Sequence, residues 1–295
     1  MEMQGDSERR GIMKFTKMEG CGNDYVYIDG TTEIISQEKK PEIVRFLSDR
    51  HFGIGGDGVI FINPSQEADF EMEMYNADGT RAEMCGNGIR CVGKFVYDKG
   101  LTDKTDLTII SAGMLKYLKL SVVNGKVDAV SVNMGKPILA AKDVPAISLD
   151  NQDAPIINQD IVVLGKTFQM TCVSVGNPHA VIFVDEMLSD KEMTQWGPHF
   201  ENHERFPKRI NTEFIKIIDR THMEMRVWER GTGETLACGT GATASTVAAI
   251  LNHLTDSEVW VKLLGGTLKI SWAGGEEPVY MTGPATTVFE GEIEL

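Results

Sequence analysis

No apolar run in the chain approaches the roughly eighteen residues of a membrane span, and no signal peptide with a cleavage site is visible. Basic residues are in deficit: 29 Lys and Arg against 43 Asp and Glu leave a formal charge of −14. That balance argues against nucleic acid or an anionic membrane as the main partner, so a small substrate must be held by local groups. Cysteine is sparse, with Cys21, Cys85, Cys91, Cys172 and Cys238 alone. None forms a C-x-x-C pair, which removes the sequence basis for a zinc ribbon or a thioredoxin-type couple. An odd count without a secretion signal fits reduced thiols in the cytoplasm. The spacing His199-Phe-Glu-Asn-His203 lacks the H-E-x-x-H order of a zinc helix, so no metal site is expected there and a solvated face is.

What is present is an ordinary globular composition, 42% hydrophobic and 24% charged, on 295 residues, which is comfortable for two domains. Residues 1–12 are polar and aperiodic and are expected to be a disordered extension. Residues 38–49 have helical spacing, with Pro41 in the first turn. Gly53-Ile-Gly-Gly-Asp-Gly58 matches G-x-G-x-x-G formally. It follows a helix and precedes a strand, the reverse of a dinucleotide site, so a plain loop is expected. Phe70 to Tyr75 alternates as a half-buried strand, and residues 107–133 read as strands with a hairpin at Asn124-Gly125. Cys91 and Cys172 are expected in the core.

One pattern occurs twice. Cys85 and Cys238 each sit in a Cys-Gly-x-Gly turn just before a helical run, and they lie 153 residues apart. Met72 and Met225 share that offset, as do Asn76 and Glu229, while Gly22-Asn23 and Gly176-Asn177 lie 154 apart. Recurrence of strand, turn, thiol and helix together points to a duplicated domain. The expected units are residues 13–135, joined by a returning strand 284–295, and residues 136–283.

A thiol at a helix N-terminus meets free N–H groups and the positive end of the helix dipole, so each cysteine is expected to have a depressed pKa and to serve as base or nucleophile. Two such thiols facing one cleft could remove a proton from one face of a carbon acid and return one to the other. The N–H groups of Gly86-Asn87 and Gly239-Thr240 could bind a carboxylate and stabilise charge developing beside it. Two facing thiolates repel, so only one should be ionised at a time.

Cys85-Gly-Asn-Gly-x-Arg90-Cys91, Gly176-Asn-Pro-His179, Gly22-Asn-Asp24, Thr282-Gly-Pro-Ala285 and the long run Trp228 to Gly241 resemble diaminopimelate epimerases, over residues 13 to the C-terminus. The resemblance implies an α+β fold of two pseudo-symmetric domains, each a mixed β-barrel around a central helix, with the active site in the cleft between them. It implies a cytoplasmic homodimer that interconverts LL- and meso-2,6-diaminopimelate without pyridoxal phosphate or any other cofactor, for lysine and cell-wall precursor synthesis. Cys85 would be proton donor and Cys238 acceptor in the LL-to-meso direction, with His179 and Glu229 tuning the thiols. Arg230, Asn76, Asn177 and Asn211 would hold the distal carboxylate, Glu229 the distal ammonium, and Asn23 would line the pocket. Gly58 stands where some members have a ligand-contacting glutamine, and Phe289 where a tyrosine can form the dimer contact. Cys21, in the turn before Asn23, reads as a small apolar filler with some exposure to oxidation. A proline racemase on the same fold would not need the distal set, and a thiol-redox protein would gain activity on joining its cysteines.

Overall fold

The computed structural model describes residues 11–82 and 85–295. Residues 1–10 of the expected extension lie outside the described residues, and Ile12 already opens the first strand. The first half runs β1 (Ile12–Gly20), β2 (Asn23–Asp29), α1 (Lys40–Ser48), β3 (Gly58–Pro64), β4 (Phe70–Asn76), α2 (Gly86–Asp98), β5 (Asp106–Ser111), β6 (Met114–Val123) and β7 (Lys126–Gly135). The second runs β8 (Gln159–Val163), β9 (Lys166–Ser174), β10 (Pro178–Phe183), α3 (Asp190–Glu201), β11 (Asn211–Asp219), β12 (His222–Glu229), β13 (Gly233–Glu234), α4 (Gly239–Leu251), β14 (Glu258–Leu263), β15 (Gly266–Ser271) and β16 (Val279–Pro284). A last strand, β17 (Thr286–Glu294), closes the chain.

The halves share one plan. β2 and β3 pair in parallel, as do β10 and β11; the next pairs, β3·β4 and β11·β12, are antiparallel. Parallel pairing returns at β4·β5 and β12·β14, and antiparallel pairing at β5·β6 and β14·β15. The two central helices are each 13 residues long and begin and end 153 positions apart. The fold is therefore α+β with internal pseudo-symmetry. Among the described residues the strands of both halves are linked into one mixed sheet. β16 pairs with β7 across the halves, and β17 pairs with β1, Ile12 opposite Glu294. Backbone hydrogen bonding thus continues from one half into the other, because a strand left at either seam would expose unpaired N–H and C=O groups.

Local chemistry explains the elements. At Asn124-Gly125 both residues have positive φ, 51° and 74°, and Val123 faces Lys126 across a two-residue hairpin. Helix α4 is rich in Gly, Ala, Ser and Thr and is buried from Gly239 to Ala249 apart from Thr240. A helix enclosed on every side by strands needs small residues, and its hydroxyls need partners. Thr243 and Thr246 find them by donating to the carbonyls of Gly239 and Ala242. Residues 53–57 form the expected loop between α1 and β3, and Gly58, the last residue of the motif, opens the strand. Among the described residues no helix is long and apolar enough to cross a membrane.

Gly58 has a specific reason to be glycine. A Cβ there would lie 2.0 Å from the Tyr75 carbonyl oxygen and 3.0 Å from the Tyr25 ring. No side chain can project from this position unless the β3·β4 pair shifts. Gly58→Ala should cost about 1–3 kcal/mol of stability by overpacking, read as a lower urea midpoint. A midpoint equal to the parent's would mean that the strand pair is free to move.

Candidate active site

Both cysteines cap their helices. Cys85 (φ −116°, ψ 116°) and Cys238 (φ −121°, ψ 108°) take the extended N-cap conformation, and each sulfur accepts from the N–H three residues on, Gly88 at 3.4 Å and Gly241 at 3.3 Å. The N–H groups of Gly86, Asn87, Gly239 and Thr240 precede the first helical bonds, Ile89 to Cys85 and Ala242 to Cys238. The two helix starts meet over Met281. A Cβ on Gly86 would lie 3.0 Å from its methyl carbon, and one on Gly239 would lie 2.9 Å from its sulfur. Asn87 Nδ2 reaches across to the Ala237 carbonyl at 3.4 Å. Both thiols line one cavity of about 1250 Å³, together with Asn23, Asn76, Asn177 and Glu229.

The first half presents its thiol as a donor. Cys85 Sγ donates to Asn23 Oδ1 at 3.0 Å, while Asn23 Nδ2 donates to Asp57 Oδ2 at 2.6 Å. Arg50 in turn grips Asp57 and Asp24. The second half is built otherwise. His179 Nδ1 lies 2.6 Å from Glu213 Oε1 and its Nε2 3.0 Å from Asn177 Oδ1. Asn177 Nδ2 donates to Thr240 Oγ1 at 3.2 Å, and that hydroxyl lies 3.4 Å from Cys238 Sγ. Glu229 accepts from the Thr235 hydroxyl at the cavity wall.

Three of the expected site residues stand apart from the cavity: His179, fully buried behind Asn177, and Arg230 and Asn211. Arg230 is exposed, and its Nη1 donates to the Lys208 carbonyl at 3.2 Å. Asn211 is buried, with Nδ2 on the Pro178 carbonyl and Oδ1 accepting the Arg230 N–H, both at 2.9 Å. Its amide therefore fixes the Arg230 backbone. The Asn87 side chain is likewise engaged, by Arg90 at 2.9 Å as well as by Ala237, and the residue lines the cavity.

The depressed thiol pKa expected from the helix starts is not found. Burial raises Cys85 above the ordinary thiol range against the pull of the Gly88 and Asn87 N–H groups and Arg90. Cys238 is pushed higher still, by burial first and then by the Glu229 and Glu213 carboxylates, so desolvation outweighs the helix dipole here. Glu213 was not legible as a site residue. The available signal was a single acid in a strand, Asn211 to Ile215, that is buried throughout. Arg90 was quoted only as part of a motif, yet it is fully buried and ties the Gly86 carbonyl to the Pro284 carbonyl of β16. His199 is exposed and His203 is half-buried on the Val162 carbonyl.

The diaminopimelate epimerase family model matches residues 15–140 and 171–288. The chain belongs to the diaminopimelate epimerase family. It is 54% identical over 284 residues to a diaminopimelate epimerase of Leptospira biflexa, covering 96% of this chain and 99% of the relative. It is 52% identical over 283 residues to one of Methanococcus maripaludis, covering 96% and 100%. A solved hydroxyproline epimerase from Agrobacterium vitis shares the fold with a TM-score of 0.65 at 12% identity, over 96% of this chain and 91% of that one.

All five thiols are free, and burial holds every one above its ordinary range, Cys91 and Cys172 at about 12. An unfolded chain releases those protons near pH 8.5, about the ordinary thiol value, before the folded chain does. Stability is then full below that pH and falls as pH rises toward the folded values. The melting temperature should drop on going from neutral to strongly alkaline solution, and the Cys91→Ala, Cys172→Ala double variant should show a shallower slope. An unchanged slope would remove these buried thiols as its cause.

Proposed function

We propose that this protein interconverts LL-2,6-diaminopimelate and meso-2,6-diaminopimelate by two-base proton transfer, without pyridoxal phosphate, in lysine and peptidoglycan precursor synthesis. The observation that carries the reading is the pair of cysteine-capped helix starts opening on one cavity. The α-carboxylate sits on the N–H groups of Gly86, Asn87, Gly239 and Thr240, where two helix dipoles favour negative charge. The Cys238 thiolate takes the α-proton, forming S–H as the C–H bond breaks. The Cys85 thiol gives its proton to the opposite face, and the charge that accumulates on the α-carbon and carboxylate is met by the same N–H groups. Cys85 ends as thiolate and Cys238 as thiol, so the reverse direction exchanges their roles. A thiol raised in pKa by burial is a stronger base once ionised, and the proximity of an anion-binding pair of helix starts offsets part of the cost of ionising it.

The distal head needs a second set of groups. Asn76 and Asn177 line the cavity, and Glu229 offers a carboxylate for the distal ammonium. Arg230 turns its guanidinium inward from Lys208 when a distal carboxylate arrives, a bidentate match, with Asn211 holding its backbone as the pivot. Residues 13–135 with strand 284–295, and residues 136–283, act as the two jaws. Free thiols support a reducing, cytoplasmic setting, and the exposed Phe289 on β17 supports assembly as a homodimer.

Incubation with LL-diaminopimelate in D₂O, with no cofactor added, should place deuterium at one α-carbon, and proline should not turn over. Cys85→Ala and Cys238→Ala should each lower turnover at least about a hundredfold, the range of a lost acid–base group. Arg230→Met should mainly raise KM. Absence of deuterium from substrate and product alike would overturn the assignment.

A further inference from the structure

The two halves match in geometry but not in chemistry beneath their cysteines. The register that pairs Tyr27 with Ile60 in the first half pairs Val181 with Glu213 in the second. A Cβ on Gly88 would meet the Ile60 methyl at 2.9 Å; a Cβ on Gly241 would meet Glu213 Oε1 at 2.6 Å. Ile60 thus lies below Cys85 where Glu213 lies below Cys238. At the 154 offset, Tyr25 stands in the first half where His179 stands in the second. Glu213 and His179 both have fully buried side chains, and Glu213 Oε2 has no partner among the described residues.

An unneutralised charge at such a depth is costly enough that a group takes up a proton instead. The pair is therefore held neutral overall, with one proton between Oε1 and Nδ1 and another on Nε2. Burial raises the pKa of Glu213, which agrees with a shared proton. With Nε2 protonated, the rest follows from donor and acceptor counting. Nε2–H donates to Asn177 Oδ1, Asn177 Nδ2 donates to Thr240 Oγ1, and the Thr240 hydroxyl has its hydrogen left for Cys238 Sγ. A sulfur that receives a hydroxyl hydrogen as well as the Gly241 N–H is a better thiolate. In the first half the order is opposite, because Asp57 takes the Asn23 amide hydrogen and leaves Oδ1 to accept from the Cys85 thiol.

We propose that Glu213 is a positioning residue that sets Cys238 as the thiolate of the pair, acting through His179, Asn177 and Thr240. The proposal rests on the two-cysteine reading above and deepens it. The groups that face the sulfurs are Glu229 and Glu213 with His179 behind for Cys238, and Arg90, Glu229, Tyr25, Tyr27 and Cys91 for Cys85. Simple repulsion by an ionised Glu213 would make its removal speed the reactions of Cys238. A hydrogen-bond relay gives the opposite sign, so the two can be told apart.

The experiment measures iodoacetamide alkylation of Cys85 and Cys238 by mass spectrometry across the neutral-to-alkaline range, with epimerase turnover in parallel. Because the rate follows the thiolate fraction, Glu213→Leu should slow Cys238 about tenfold, the scale of one hydrogen bond to a charged group, and leave Cys85 unchanged. The acid limb of kcat/KM should move to higher pH. Glu213→Gln, which can still hydrogen-bond Nδ1, should restore most of the rate. Thr240→Val, at the far end of the relay, should reproduce the slowing even where Glu213→Leu fails to fold. Unchanged or faster alkylation of Cys238 in Glu213→Leu, or Cys238 untouched by Thr240→Val, overturns the proposal. Loss of turnover on diaminopimelate in the unsubstituted protein would instead overturn the functional reading, since the alkylation arm needs no substrate.

Discussion

The site depends on two helix N-termini aimed at one point. Each start carries unsatisfied N–H groups and roughly half a positive charge, so bringing two together is unfavourable unless something negative sits between them. The protein arranges this with sulfur caps, with Met281 as an apolar wedge between the glycines, and with Asn87 bridging to Ala237. Glycine at positions 86 and 239 leaves room for that wedge, since a Cβ at either would press on the far end of Met281. The result is a local anion trap inside a chain of net charge −14. In the proposed reaction an amino-acid carboxylate completes it, which is what would bring the adjacent carbon to the two thiols.

Arg90 connects this constraint to the fold. Its buried guanidinium holds Gly86, Asn87 and the Pro284 carbonyl at once, so the start of α2 is fixed to the strand that crosses between halves. β16 pairs with β7 and runs through Ala285 into β17, which pairs with β1. The relative placement of the two thiols is therefore set by sheet hydrogen bonds as well as by the cavity walls. Packing energetics and site geometry are here the same contacts.

Much of this was legible in the residues. The 153-residue recurrence located both cysteine caps and both central helices, because a capped helix start needs a particular order of cap, glycine and small residues. Asn124-Gly125 marked its hairpin for an equally local reason, positive φ at both positions. What failed was non-local. The thiol pKa was expected to fall from the helix dipole, a property of neighbours in sequence, and rises from burial, a property of the whole enclosure. Arg230 was expected at the pocket, but its exposed guanidinium rests on the Lys208 carbonyl, a contact set by the fold of a distant segment. Glu213 was missed because its partner, His179, lies in a different strand and only parallel pairing brings them together.

Duplication creates a difficulty that the second half resolves. Two equivalent thiols across one carbon would have equal claims to the proton, and stereoinversion needs one of each state. Geometry can remain symmetric only if the hydrogen-bond polarity does not. Asn23 and Asn177 occupy equivalent places, yet Asp57 turns one amide so that its oxygen faces a thiol. The His179–Glu213 pair turns the other so that its nitrogen faces a hydroxyl that ends on the opposite sulfur. Both settings are made by neutral or paired groups, so neither adds a net charge to the cavity that would bias one direction of turnover strongly. In the proposed reaction one sulfur gains a proton as the other gives one up, so the site after turnover holds the two states exchanged.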